Sequence, residues 1–277
     1  MKKEIDFIKF NPTQNMTVLV KTSHPVEEYK NIASKMMAYD SVYAEQVGFI
    51  EESVKNETAA YLQMAGGEFC GNACMALATF IASEKGLKHN DSEEILLEVS
   101  GTDRLIICQV RRLSDEYHCQ VTMPIPKRIE QQTIQYDGDD LDIIIVRYHE
   151  FIHIVIEVAQ INPPVREKAQ KLAKLLGLTM GTNLVGILLY KSEANEMAPL
   201  IYVPHLDSMI WERGCGSGTA SLGAYLAWKN NGEIRVPIRQ PGGIINVIAT
   251  CYKEELIDLK IEGPVKIVAQ GKAFIEI

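Results

Sequence analysis

No apolar run in this chain is long enough to cross a bilayer. Its opening, Met1-Lys2-Lys3-Glu4-Ile5-Asp6, lacks the apolar core of a secretory signal. Both absences predict a cytoplasmic protein with no membrane partner. A basic excess is missing as well: 28 Lys and Arg stand against 36 Asp and Glu, a net charge of -8. With no basic patch to neutralise phosphates, a nucleic-acid partner is not expected. The six histidines supply no set of ligands at zinc spacing with the cysteines, so no metal is expected. No low-complexity linker divides the 277 residues, which suffice for two lobes or one large domain.

What is present is cysteine: Cys70, Cys74, Cys108, Cys119, Cys215 and Cys251. In a cytoplasmic chain these are reduced thiols rather than a disulfide framework. Two of them open matching stretches. Gly66-Gly67-Glu68-Phe69-Cys70-Gly71-Asn72 leads into a helical run from Cys74 to Ala82. Trp211-Glu212-Arg213-Gly214-Cys215-Gly216-Ser217-Gly218 leads into another from Thr219 to Trp228. Counted from each cysteine, Leu77 matches Leu222, Phe80 matches Tyr225 and Ile81 matches Leu226. A shared apolar register after a shared Cys-Gly predicts two similar loop-to-helix turns.

A cysteine at the mouth of a helix is chemically special. The first backbone N–H groups have no partner within the helix, and the dipole is positive there. A thiolate in that place is stabilised, which predicts a lowered pKa. The glycine that follows lets the backbone approach an anion closely. Two such turns facing each other would seat a carboxylate between two thiols. That suits removing a proton from one face of an α-carbon and returning one to the other. The blander alternative is that both are core filler, the commonest fate of a free cysteine; two copies in opposite halves weigh against it.

Along the chain, strands are expected at Ile5 to Phe10, Thr17 to Lys21, through Ile50, Thr58 to Met64, Ile95 to Ser100, Leu105 to Val110 and Tyr117 to Met123. Helical spacing runs from Val26 to Tyr39. Pro124-Ile125-Pro126 marks a lobe boundary. Beyond it come strands at Ile143 to Arg147 and Ile152 to Val158, then a helix from Val165 to Leu176 with Gly177 as its stop. Strands follow at Leu184 to Tyr190 and Leu200 to Val203. After the second cysteine helix the strands are Arg235 to Arg239, Ile244 to Cys251, Leu256 to Ile261 and Val265 to Ile277. Many strands with few helices predict an α+β fold, each half a curled, mostly antiparallel sheet around a buried helix.

Cys70-Gly71-Asn72, Cys215-Gly216-Ser217-Gly218, Asn15 after the first strand and Glu212-Arg213-Gly214 together resemble the diaminopimelate epimerase superfamily of racemases and epimerases. The resemblance covers nearly the whole chain. It is denser to the histidine racemases of that superfamily, including those that feed opine-type metallophore synthesis. The shared-looking stretches are Phe10-Asn11-Pro12 with Asn15-Met16-Thr17, Glu45-Gln46-Val47-Gly48-Phe49, Glu68-Phe69-Cys70-Gly71-Asn72-Ala73, Pro199-Leu200-Ile201-Tyr202, Ile210-Trp211-Glu212, Cys215-Gly216-Ser217-Gly218-Thr219-Ala220-Ser221 and Gln240-Pro241-Gly242-Gly243. It implies two pseudo-symmetric lobes whose last strand returns to the first: residues 1–123 plus 265–277, and residues 124–264. It implies a cofactor-independent racemase with catalytic Cys70 and Cys215 and no cofactor. Asn15, Glu45, Gly71, Asn72, Glu212, Gly216 and Ser217 would hold the amino acid, and a homodimer is an open option.

Two departures from the diaminopimelate enzymes matter. Gly214 abuts Cys215 where they insert a longer segment, and three of their asparagines fall here near Gln63, Phe151 and Leu184. A second charged amino-acid head would be costly to bury without those amides. Histidine, with a flat and often neutral ring, is therefore the expected substrate. Diaminopimelate or another amino acid is the alternative. Outside racemisation, the alternatives are a cysteine-nucleophile acyl-transfer enzyme and an amino-acid binding protein. His153 lies in an apolar strand and reads as a core histidine.

Overall fold

Strands pair mostly antiparallel in the computed structural model, which describes residues 2–53, 55, 58–114, 116–149 and 151–276. Where a parallel pair occurs, a helix lies between its strands in sequence, because parallel neighbours need a crossover that no hairpin can supply. The chain divides into two units: one runs through Met123 and takes in the stretch from Glu262, and the other is Pro124–Ile261.

In the first unit the order is β1 (Lys2–Pro12), β2 (Thr17–Val20), α1 (Tyr29–Met37), β3 (Gln46–Glu51), β4 (Ala60–Met64), α2 (Gly71–Glu84), β5 (Ser92–Val99), β6 (Ile106–Leu113) and β7 (Glu116–Thr122). Parallel β2–β3 encloses α1, and parallel β4–β5 encloses α2. The second unit likewise sets two helices among its strands: β8 (Arg128–Tyr136), β9 (Asp139–Arg147), β10 (Phe151–Glu157), α3 (Pro163–Thr179), β11 (Leu184–Lys191), β12 (Glu196–Val203), β13 (Ser208–Trp211), α4 (Gly216–Asn230), β14 (Glu233–Gln240) and β15 (Gly243–Tyr252), while β16 (Glu255–Glu276) begins in it and ends in the first. There, parallel β10–β11 encloses α3 and parallel β12–β14 encloses α4. The fold is thus α+β, with a mostly antiparallel sheet curled about one helix in each unit.

The helices divide by composition. α2 and α4 are small-residue and apolar on every side, and α2 touches all of β1 through β7. A helix buried all round must have no polar face. α1 and α3 carry a single apolar stripe each: Tyr29, Ile32, Ala33 and Met36, and Ala169, Leu172 and Ala173. Spacing of three and four residues puts each set on one face, packed on the outside of its sheet.

Four expectations need correction. The cysteine helices begin at Gly71 and Gly216, not at Cys74 and Thr219, so the cysteines themselves are the capping residues. Gly177 lies inside α3 rather than ending it; a Cβ there would stand 2.7 Å from the Tyr202 ring, so this glycine serves packing. Arg128–Tyr136 is a strand, hairpinned to β9 through Asp137-Gly138 at φ 56° and 88°. Both central residues left-handed is what a two-residue hairpin turn requires. Finally, Leu256 to Ile261 and Val265 onward form one unbroken strand, β16, despite Gly263-Pro264; Ile277 lies outside the described residues. β16 neighbours β15 and β7 and pairs antiparallel with β1 from Lys2↔Glu276 to Pro12↔Val265.

Candidate active site

Strand ends bring the first group of residues together. β2 begins at Thr17, opposite Gln46 at the start of β3, and the end of β4 lies beside β3, with Ala65 N–H on the Val47 carbonyl at 3.3 Å. The β1–β2 turn, the approach to β3 and the exit from β4 therefore share one end of this sheet. The turn is tight: Thr13 and Gln14 are left-handed at φ 51° and 60°, and Asn11 Oδ1 accepts from Gln14 N–H at 2.6 Å. It delivers Asn15 fully buried, with Nδ2 donating to Glu45 Oε2 at 3.2 Å. Glu45 is held in turn by its N–H on the Met16 carbonyl at 2.8 Å. Asn15 Oδ1 and Thr13 Oγ1 are buried acceptors without a hydrogen-bond partner. Buried acceptors of that kind are costly unless a ligand or water meets them.

The exit from β4 leads to Cys70. Ser100 braces this segment: its hydroxyl accepts from Met64 N–H and donates to the Glu68 carbonyl, both at 2.9 Å. Next to it, Gly101 at φ 77° packs so closely that a Cβ would lie 2.2 Å from Phe69 N. Cys70 follows in extended conformation, φ -132° and ψ 107°, and its carbonyl takes the N–H of Cys74 at 3.0 Å. This cysteine is half-buried. The first N–H groups of a helix point off its end; in α2 they belong to Gly71, Asn72 and Ala73.

Cys215 caps α4 in nearly the same way, φ -107° and ψ 107°, with Thr219 N–H on its carbonyl at 3.0 Å. It is more tightly bound and only 2% exposed. Gln240, from the end of β14, accepts from Cys215 N–H and donates to Thr219 Oγ1, both at 2.8 Å. The sulfur accepts from Gly218 N–H at 3.3 Å and lies 3.6 Å from Ser217 Oγ. A Cβ at Gly218 would stand 3.1 Å from that sulfur, so this position is kept bare. Gly216 and Ser217 carry the remaining N–H groups of the first turn.

Here the expectation of a lowered thiol pKa fails. Burial drives the Cys215 pKa well above the usual thiol range, and the Glu212 carboxylate, which bonds the thiol, raises it further. The opposing bonds from Ser217 and Gly218 N–H are outweighed. Burial and Glu212 thus both favour the protonated form of the Cys215 thiol. The sign follows directly: a neutral amide at position 212 lifts the penalty on the thiolate. In a Cys70→Ser background, Glu212→Gln is expected to move the midpoint of Cys215 alkylation by iodoacetamide to lower pH. A midpoint that stays or rises would remove Glu212 from this role. Arg213 is exposed; its guanidinium donates to the Pro241 carbonyl at 3.4 Å, and its own carbonyl accepts from Gly242 N–H at 2.6 Å.

Beneath α4, His153 is fully buried and meets Ser221 Oγ through Nδ1 at 2.7 Å, and Ser221 donates to Tyr148 OH at 3.0 Å. Burial pushes the His153 pKa down to about 3, against a bond to the Ser217 backbone that favours the proton. It is a neutral core histidine. Cys74 and Cys108 are likewise buried thiols pushed well up by desolvation. All six cysteines are free. Among the described residues no cluster of His, Cys, Asp and Glu could hold a metal ion, and no helix is long and apolar enough to cross a membrane.

Sequence reading named both cysteines, the residues after them, Asn15, Glu45 and Glu212. It did not single out Gln240, Thr219, Ser100 or Gly101, which brace the cysteine turns from 4 to 31 positions away in the chain. Gln240 and Thr219 each stood in a shared-looking stretch but with no role attached.

The family model described as the histidine racemase CntK N-terminal domain matches residues 4–274. The chain is 33% identical to a histidine racemase of Staphylococcus aureus over 277 residues, covering 99% of each. It is 30% identical to a histidine racemase of Fusobacterium nucleatum subsp. nucleatum over 272 residues, covering 98% of this chain and 97% of the relative. In fold it is similar to a hydroxyproline epimerase from Agrobacterium vitis, with a TM-score of 0.74, 9% identity, and coverage of 99% and 93%. It is also similar to a PhzF-family protein from Bacillus anthracis, with a TM-score of 0.71, 15% identity, and coverage of 99% and 100%.

Proposed function

The chain belongs to the histidine racemase family, and from that footing we propose that it interconverts L- and D-histidine through Cys70 and Cys215 as a two-base pair, without a cofactor. The observation that carries the reading is the repetition of one device: a cysteine capping a buried helix, with matching backbone, once in each unit. Racemisation asks for a base on one face of the α-carbon and an acid on the other. In one direction Cys70 takes the α-proton as thiolate while Cys215, kept protonated by burial and Glu212, gives its own to the opposite face. The thiols then hold exchanged protonation states, and the reverse reaction starts from there.

The α-carboxylate is received by the N–H groups of Gly71, Asn72, Gly216 and Ser217. They also stabilise the charge that builds on it as the proton leaves. Glu45 and the unsatisfied Oδ1 of Asn15 are acceptors for the N–H groups of the substrate. In this reading the partners are free histidine and at most a second copy of the chain, in the cytoplasm, with no nucleic acid or membrane involved.

Racemisation in heavy water tests the mechanism. At early time the product enantiomer should carry solvent deuterium at Cα while the remaining substrate carries almost none. Early deuterium in recovered substrate would mean that one group does both jobs, and the two-base assignment would be lost.

A further inference from the structure

β10 and α4 run side by side in the same direction, and two contacts fix their alignment. At one level, His153 meets Ser221 Oγ at 2.7 Å and the Ser217 backbone. At the next, Glu157 Oε1 accepts from Tyr225 OH at 2.7 Å and from Lys229 Nζ at 3.1 Å. Four strand residues, roughly 13 Å, thus match eight helix residues, roughly 12 Å. One step of two residues back along the same strand face reaches Phe151, level with the cap of the helix, where Cys215 sits.

Phe151 is fixed there by its neighbours. Its ring stacks on Tyr148 at 4.3 Å between centroids and leans on His153 at 5.0 Å. The His153 ring can stand upright because its register partner on β11 is Gly186, where a Cβ would lie 2.3 Å from His153 Cδ2. The register partner of Phe151 itself is Leu184, which shares its face and offers no polar group. Phe151 remains half-buried.

We infer that Phe151 is a specificity-determining residue: its half-buried side chain, backed by Tyr148 and flanked by Leu184, is the wall against which the planar side chain of the substrate lies, beside the cysteine turn of α4. This rests on the proposed racemisation of histidine. A flat ring gains from an aromatic wall, whereas a second charged head would lose hydration against it. Selection of side chain and handling of the amino-acid head are thereby assigned to different residues.

The test is a steady-state comparison of wild type, Phe151→Leu and Phe151→Tyr on histidine, with alanine as a competitive inhibitor that has the amino-acid head but no ring. Phe151→Leu should raise KM for histidine about five- to tenfold, as expected for a lost ring contact, with kcat within about twofold and the Ki of alanine unchanged. Phe151→Tyr should restore the wild-type KM. Phe151→Met, an unbranched apolar filler, serves as the second loss-of-ring variant if leucine unsettles the strand, with the same expected split. A KM for histidine unchanged by loss of the ring overturns the wall alone. So does a fall in kcat with alanine affinity lost in parallel, which marks a merely structural role. A wild type that leaves histidine untouched overturns the histidine reading itself, and the wall with it.

Discussion

Cys70→Ser and Cys215→Ser should each lower kcat for histidine racemisation about a thousandfold, within the range for losing a positioned acid or base. The loss is chemical rather than structural. Serine is a preferred helix cap, better suited to the position than the cysteine it replaces. At Cys215 its hydroxyl can still accept from Gly218 N–H, and the backbone bond to Gln240 is untouched. Circular dichroism and thermal melting should therefore match wild type. The two variants differ in a way that a single-base enzyme could not reproduce. Each keeps the thiol for one face of the α-carbon, so each should wash deuterium from the α-position of one histidine enantiomer only, and of opposite enantiomers. Equal exchange of both enantiomers by either variant would contradict the assignment of one thiol to each face.

Glu45→Gln is expected to lower kcat/KM for histidine about tenfold to a hundredfold, the worth of a hydrogen bond to a charged group. The substitution keeps the shape, and an amide oxygen can still accept from Asn15 Nδ2 as the carboxylate does at 3.2 Å. What is removed is the negative charge. The penalty should therefore grow as pH falls through about 6.5, where free imidazole takes up its proton and a cationic ring gains most from a carboxylate. Assays of both proteins from neutral to mildly acid pH measure this directly. A Glu45→Gln variant that matches wild type on histidine across that range would move recognition of the side chain away from Glu45. It would leave the cysteine chemistry standing.

The cysteine turns were legible because their signal is local. A Cys-Gly followed by an apolar run of small residues states both the cap and the buried helix within about a dozen positions. The exact start of each helix was not, because glycine and asparagine have poor helix propensity, while the first turn is fixed here by capping and by Ser100 and Gln240. Those braces sit far along the chain, Ser100 just past β5 and Gln240 at the end of β14, and nothing near them in sequence marks them. Glu45 and Asn15 were legible only through resemblance: they meet because β2 and β3 are parallel neighbours, a pairing no local pattern reveals. β8 escaped notice for a different reason. It is exposed or half-exposed along its whole length and so shows no clean alternation, although Asp137-Gly138 was a hairpin signal in plain view. The raised pKa of Cys215 depended on burial and on Glu212 together, and spacing reports neither.

The pairing of β16 with β1 also bears on synthesis. Residues 124–261 form a continuous unit that is complete in sequence before residues 265–276 are added. The first unit has no such privilege, since β1, made at the outset, waits for residues 265–276 before its second edge is covered. Nascent chains commonly fold from the amino end onward; here the later-made unit can finish first. During translation β1 presents an open edge to other chains, so an incomplete product stalled before Val265 is left with its first sheet permanently unclosed.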